Sequence, residues 1–134
     1  MNGGKRTAAR LLFLLYLGAV AWLCFGRFDS LTDAPRFLGN IPMDKVVHFL
    51  MFLPFPILAF LSFGKKTDKP RQSLLHILSA FAAGSLLAAA TEAVQGWLLP
   101  YRTGDPADLL ADFLALGTGS LLILVIDLWK QRQP

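Results

Sequence analysis

The sequence has few charged side chains. Only 16% of its 134 residues are Asp, Glu, Lys or Arg, whereas 54% are hydrophobic, and the mean hydropathy is +0.51. This is more apolar side chain than a soluble domain of this length can bury. The composition therefore argues against a soluble domain, a disordered chain and a disulfide-rich secreted module, and it indicates a protein whose solvent is lipid.

Cysteine is almost absent. The single Cys24 excludes an intrachain disulfide and any multi-cysteine metal site, and its apolar surroundings predict a buried, inert thiol. The sequence also lacks a glycine-rich phosphate loop and any residue spacing typical of a metal motif. We therefore predict no cofactor and no metal, with a divalent ion held by His48 and several carboxylates as the alternative.

Four apolar segments are present, at about residues 8–26, 46–64, 73–97 and 107–129. Each is close to the ~20 residues that cross ~30 Å of hydrocarbon, and a backbone without water must be helical there. No small-x-small cleavage site follows the first segment, so we expect it to remain as a span. The sequence predicts one domain over residues 1–134, an all-α, integral membrane four-helix bundle.

The basic residues indicate how the chain is oriented. The N-terminal segment, the second loop and the C-terminal segment carry nine Lys and Arg, against four in the first and third loops and their helix edges. The positive-inside rule then predicts that both termini are cytoplasmic. Basic residues clustered between apolar runs are typical of loops that set the orientation of membrane spans, and not of a surface that binds the phosphates of nucleic acid. Nucleic acid is therefore not expected as a partner.

Proline and small residues predict how two of the helices pack. Pro54 and Pro56 should interrupt the hydrogen bonds of the second helix and bend it. Ala80, Gly84 and Ala88 recur every fourth residue and allow another helix to approach closely. Glu92 continues that stripe, so we expect its side chain to face the bundle and not the lipid.

Polar side chains near one end of these helices form the candidate site. A charged group inside a membrane segment is costly and usually marks function. The candidate ligand-binding residues are Asp44, Lys45, His48, Glu92, Gln95, Arg102, Asp108 and Asp112. His48 and Glu92 are the candidate general bases, although the catalytic residues, if there are any, are unknown.

Simpler interpretations of these residues stay open. Asp44 and Lys45 suit a helix start and a membrane interface, and Asp108 suits the first turn of a helix. Glu92 would serve equally to join helices, and Arg102 would either bridge two carboxylates or clamp a phosphate. Among the candidate residues, the four acids outnumber the two bases, Lys45 and Arg102. Shared protons, a bound cation or a cationic ligand must therefore balance the excess negative charge.

The ordered set of these residues resembles the VanZ-like family of small bacterial membrane proteins. The resemblance covers about residues 40–120 and rests on the segments Asp44-Lys45-Val46-Val47-His48-Phe49, Glu92-x-x-Gln95, Arg102 and Asp108-x-x-x-Asp112. Two positions depart from the family pattern: Asp112 stands where asparagine is usual, and Ala115 stands where the first of two glycines is usual. Gly119 matches the second glycine.

The resemblance implies a four-helix protein of the bacterial cytoplasmic (inner) membrane. The family is named for an accessory protein of resistance to glycopeptide antibiotics, teicoplanin in particular. Our leading hypothesis is an outer-leaflet polar pocket for the headgroup of a membrane lipid or a lipid-linked envelope intermediate, with Lys45 and Arg102 on phosphate. The alternatives are a membrane enzyme that uses the same pocket, a module that acts through a membrane protein partner with the polar residues as helix glue, and a small transporter. The oligomeric state is unknown.

Overall fold

The protein is all-helical. The computed structural model describes residues 3–26, 43–64, 69–100 and 106–133, without the side chains of 43 and 44, and within those ranges it contains no strand. The same ranges contain five helices, in the order α1 (Gly3–Phe25), α2 (Met43–Phe52), α3 (Pro54–Phe63), α4 (Pro70–Trp97) and α5 (Pro106–Gln131). The predicted fold class, an all-α helical bundle, is confirmed.

Among the residues that the structure describes, four stretches are long and apolar enough to cross a membrane. They are Gly3–Phe25, Lys45–Phe63, Pro70–Trp97 and Pro106–Gln131, so α2 and α3 together make one span. Large apolar side chains face outward on them; Leu15 and Leu86 are each 74% exposed. This exposure suits lipid contact. The cytoplasmic placement of the termini and the single domain over residues 1–134 stay predictions.

The helices begin earlier than the apolar runs that predicted them. We expected the first helix to start near residue 8 and the third near residue 73, but they start at Gly3 and Pro70. Hydropathy places the start of each helix too late in the sequence, because the first helical turns contain polar residues. Pro70 suits a helix start, where its missing N–H costs no hydrogen bond.

The second span is divided at Leu53, as the prolines predicted. The Leu53 N–H still donates to the Phe49 carbonyl, at 3.0 Å. Pro54 and Pro56 have no N–H to donate to the carbonyls four residues before them. The chain therefore forms this one span from two ten-residue helices.

Small residues let α5 and α4 approach this broken span. A Cβ atom on Gly119 of α5 would collide with the Leu53 carbonyl oxygen and would lie 3.3 Å from the Pro56 ring. A Cβ atom on Gly84 of α4 would lie 2.5 Å from Leu116 Cδ2 and 2.9 Å from Phe55 Cδ1. The predicted small-residue stripe is buried, and α5 packs on α2, α3 and α4, whereas α1 packs mainly on α3.

Polar contacts mark the two ends of the bundle. At one end Arg10 Nε donates to the Ser62 carbonyl, at 3.1 Å, and Gln131 donates to Ser73 Oγ, at 2.7 Å. At the other end Gln95 Nε2 donates to the carbonyl of Cys24, at 2.8 Å. The spans therefore alternate in direction, up and down, as short connections between neighbouring helices require.

Candidate functional site

Three helices bring ionisable side chains together at the end of the bundle where α2 and α5 begin. The spacing of four residues, one helical turn, places Asp108 and Asp112 of α5 on one face, and a spacing of three does the same for Lys45 and His48 of α2. Glu92 comes from the last two turns of α4. We call Lys45, His48, Glu92, Asp108 and Asp112 the polar cluster.

A lysine–aspartate pair forms the outer part of the polar cluster. Lys45 Nζ lies 2.5 Å from Asp108 Oδ1, and the two side chains are 19% and 10% exposed. Asp108 is also in the first turn of α5, where the helix dipole favours an anion. The lysine predicted to contact a phosphate is therefore held by a carboxylate of this chain.

His48 connects the two aspartates. Its Nδ1 lies 3.0 Å from Asp112 Oδ1, and its Nε2 lies 3.6 Å from Asp108 Oδ2. An ionised carboxylate only accepts hydrogen bonds, so a single proton between Nδ1 and Oδ1 makes the shorter contact. The 3.0 Å contact with Asp112 orients the imidazole, whereas the 3.6 Å separation from Asp108 is longer than a hydrogen bond.

Asp112 is the most deeply placed group of the polar cluster. It is fully buried, and no described residue makes a hydrogen bond with its Oδ2. Because it is the seventh residue of α5, it lies about 9 Å along the helix from the first residue. A buried carboxylate oxygen without a donor is costly, which makes this atom the strongest indication of a ligand in the described part of the chain.

Glu92 completes the polar cluster from α4. One ligand atom each of His48, Glu92 and Asp112 lies within 4.8 Å of the others. The prediction that Glu92 faces the bundle is confirmed. With a neutral imidazole, the three carboxylates of the polar cluster outnumber its one lysine by two charges.

Gln95 has a structural contact. It is 3% exposed, and its amide donates to the carbonyl of Cys24 in the last turn of α1. The last carbonyls of a helix lack partners within it, so this hydrogen bond ties α1 to α4. Cys24 is 1% exposed, which confirms the predicted buried thiol. The side chain of Asp44 and all of Arg102 lie outside the described residues.

Sequence reasoning missed Tyr16. Its hydroxyl donates to the carbonyl of Met51, close to the break in the second span. A tyrosine in the middle of an apolar segment was the available signal, because a buried phenol seeks a hydrogen-bond partner.

An apolar cavity of about 280 Å³ is separate from the polar cluster. Phe13, Phe63 and His76 are among the residues that line it, and no residue of the polar cluster does. A polar pocket large enough for a headgroup therefore stays a prediction, as do the roles of the candidate residues.

Comparison with protein families gives a match over most of the chain. The model of the VanZ/LLP1 family matches residues 13–127, a range that contains the polar cluster. Comparison with curated proteins gives no significant match, and comparison with solved structures gives none.

Proposed function

This chain belongs to the VanZ/LLP1 family, and on that premise we propose that it binds the headgroup of a phosphate-bearing cell-envelope lipid at the polar cluster. The observation that carries the proposal is the burial of the cluster among helices that are otherwise apolar. Asp112 is fully buried, and His48 and Asp108 are 9% and 7% exposed. Ionisable groups at such a place in a membrane bundle are a binding or catalytic site by default.

The chemistry of the polar cluster fits a headgroup with both anionic and hydrogen-donating parts. Carboxylates accept hydrogen bonds from hydroxyls and amines, which glycan-bearing lipids supply. Lys45, with 19% of its side chain exposed, is the cation at the rim of the polar cluster, where a phosphate would approach. In this proposal Arg102, in the connection between α4 and α5, is the second phosphate ligand.

The location follows from the same proposal. The protein is a multi-pass membrane protein by its four spans and its family. We place it in the bacterial cytoplasmic membrane with the polar cluster in the outer leaflet, as the basic residues predict. Binding of an envelope lipid there would link the protein to glycopeptide-antibiotic tolerance.

Native mass spectrometry of the detergent-purified protein, incubated with a bacterial envelope-lipid extract, tests the proposal. We expect the wild type to retain a specific lipid and His48→Gln and Glu92→Gln to lose it. Asp127→Asn is the matched control, because Asp127 is an acid of α5 that contacts Gln131 far from the polar cluster. Equal lipid retention by all four proteins would refute the proposal and leave the polar cluster as a device that joins helices.

A second candidate function, a lipid-modifying enzyme, is favoured by one contact. The His48–Asp112 pair, at 3.0 Å, has the geometry of a general base oriented by a carboxylate. Profiling the lipid extract before and after incubation separates the two functions. An enzyme changes the profile with the wild type and not with His48→Gln, whereas a binding protein leaves it unchanged.

A further inference from the structure

The polar cluster also has the arrangement of a metal site. We propose that His48, Glu92 and Asp112 bind one divalent transition-metal ion, such as Zn²⁺ or Mn²⁺, through one imidazole nitrogen and two carboxylate oxygens. The inference goes beyond lipid binding and does not depend on it. It also departs from the sequence-based expectation that no metal is bound.

The first argument is distance. An ion with ligands at about 2.0–2.1 Å holds neighbouring ligand atoms about 2.8–3.0 Å apart in octahedral geometry and about 3.3–3.4 Å apart in tetrahedral geometry. His48 Nδ1 and Asp112 Oδ1 are already 3.0 Å apart. One ligand atom of Glu92 lies within 4.8 Å of one ligand atom each of His48 and Asp112. A change in the side-chain torsion angles of Glu92 can shorten these distances to those of a metal site.

The second argument is the unsatisfied oxygen. Asp112 is fully buried, and its Oδ2 makes no hydrogen bond within the described part of the chain. This oxygen belongs to the same carboxylate whose Oδ1 contacts His48 Nδ1. A bound ion would compensate the cost of burying it.

The third argument is charge. With neutral His48, the ligands Glu92 and Asp112 carry two negative charges, which one divalent ion neutralises. Lys45 and Asp108 neutralise each other at 2.5 Å. The whole polar cluster is then uncharged, as a site inside an apolar bundle favours.

The fourth argument is the support of the histidine. Metal-binding histidines usually donate their second ring N–H to a carboxylate, which fixes the ring and its tautomer. His48 Nε2 faces Asp108 Oδ2 at 3.6 Å, so a small side-chain adjustment would bring the two atoms to hydrogen-bond distance, and Asp108 is itself held by Lys45. An imidazole ligand also favours a transition metal over Ca²⁺ or Mg²⁺, which prefer oxygen. Three protein ligands leave a coordination position for water or another oxygen donor.

Isothermal titration calorimetry tests the inference. ZnCl₂ is titrated into the metal-free, detergent-purified full chain. We expect one Zn²⁺ per wild-type chain and a dissociation constant at least about tenfold weaker in Glu92→Gln and in His48→Gln. The control Asp127→Asn should bind as the wild type does. Each variant is first checked for a monodisperse size-exclusion profile.

Co²⁺ provides a readout that a purely structural role would not change. We expect visible absorption bands from Co²⁺ bound to the wild type, loss of them in His48→Gln, and their displacement by Zn²⁺. Absence of a stoichiometric ion in the wild type, or binding by the two ligand variants as tight as in Asp127→Asn, would overturn the inference. Lipid retention in the presence of a chelator is scored separately, so failure of the ion site is distinguishable from failure of the lipid proposal.

Discussion

The contact between Gly119 and the broken second span gives a stability prediction that can be worked from the structure. In Gly119→Ala the new methyl group would overlap the Leu53 carbonyl oxygen and press on the Pro56 ring at 3.3 Å. A backbone carbonyl cannot rotate away as a side chain does, so α5 must shift outward. Overpacking of this kind costs about 1–3 kcal/mol of unfolding free energy.

A matched control lies two residues earlier on the same helix. A Cβ atom on Gly117 meets nothing within 4 Å, so Gly117→Ala introduces no clash. By helix propensity alone this change is neutral or stabilises by up to about 1 kcal/mol. The two variants have the same composition and differ only in the face of α5 that they alter.

Reversible unfolding in mixed micelles, followed by circular dichroism against the SDS fraction, measures the difference. We expect Gly119→Ala to unfold at a lower SDS fraction than the wild type, and Gly117→Ala at an equal or higher one. Asp112 is two turns from Gly119, about 10 Å along α5. A shift of the helix should therefore also weaken Zn²⁺ binding. Equal stability of the two variants would refute the close approach of α5 to Leu53.

Three further outcomes are expected from described contacts. Gln95→Met keeps a side chain of similar volume but removes the buried amide that donates to the Cys24 carbonyl, and should cost about 0.5–1.5 kcal/mol in the same unfolding assay; an unchanged midpoint would contradict this. In a double-mutant cycle, Lys45→Met and Asp108→Asn should be coupled by about 1.5–3 kcal/mol, since the pair is largely buried, whereas additive effects would argue against the ion pair. Cys24, at 1% exposure, should react with a maleimide only after unfolding in SDS, and rapid labelling of the folded protein would show that α1 packs differently.

The spans could be predicted because lipid imposes a simple rule. A segment of about 20 apolar residues must be helical in hydrocarbon, so composition is enough. The inward direction of Glu92 could also be predicted, since a small-residue stripe at helical spacing identifies the packed face. Pro54 and Pro56 located the break within one residue.

The partners of the polar residues could not be predicted, because they come from different helices. The i,i+4 spacing of Asp44 and His48 places these two residues on one helix face, but the described neighbours of His48 are Asp108 and Asp112 from α5. The metal site that we propose would leave no local spacing motif, because its ligands come from three helices. The expectation that no metal is bound stays a prediction until that site is tested.

The break at Leu53 separates two tasks within one membrane crossing. Apart from the contacts between α2 and α3 where they join, α2 packs mainly on α5 and holds Lys45 and His48. The second half, α3, packs on α1, α4 and α5. A continuous helix would transmit any tilt or rotation from one half to the other. Without the hydrogen bonds that Pro54 and Pro56 cannot donate, a tilt of α3 against α1 is carried less fully into α2, which holds the imidazole.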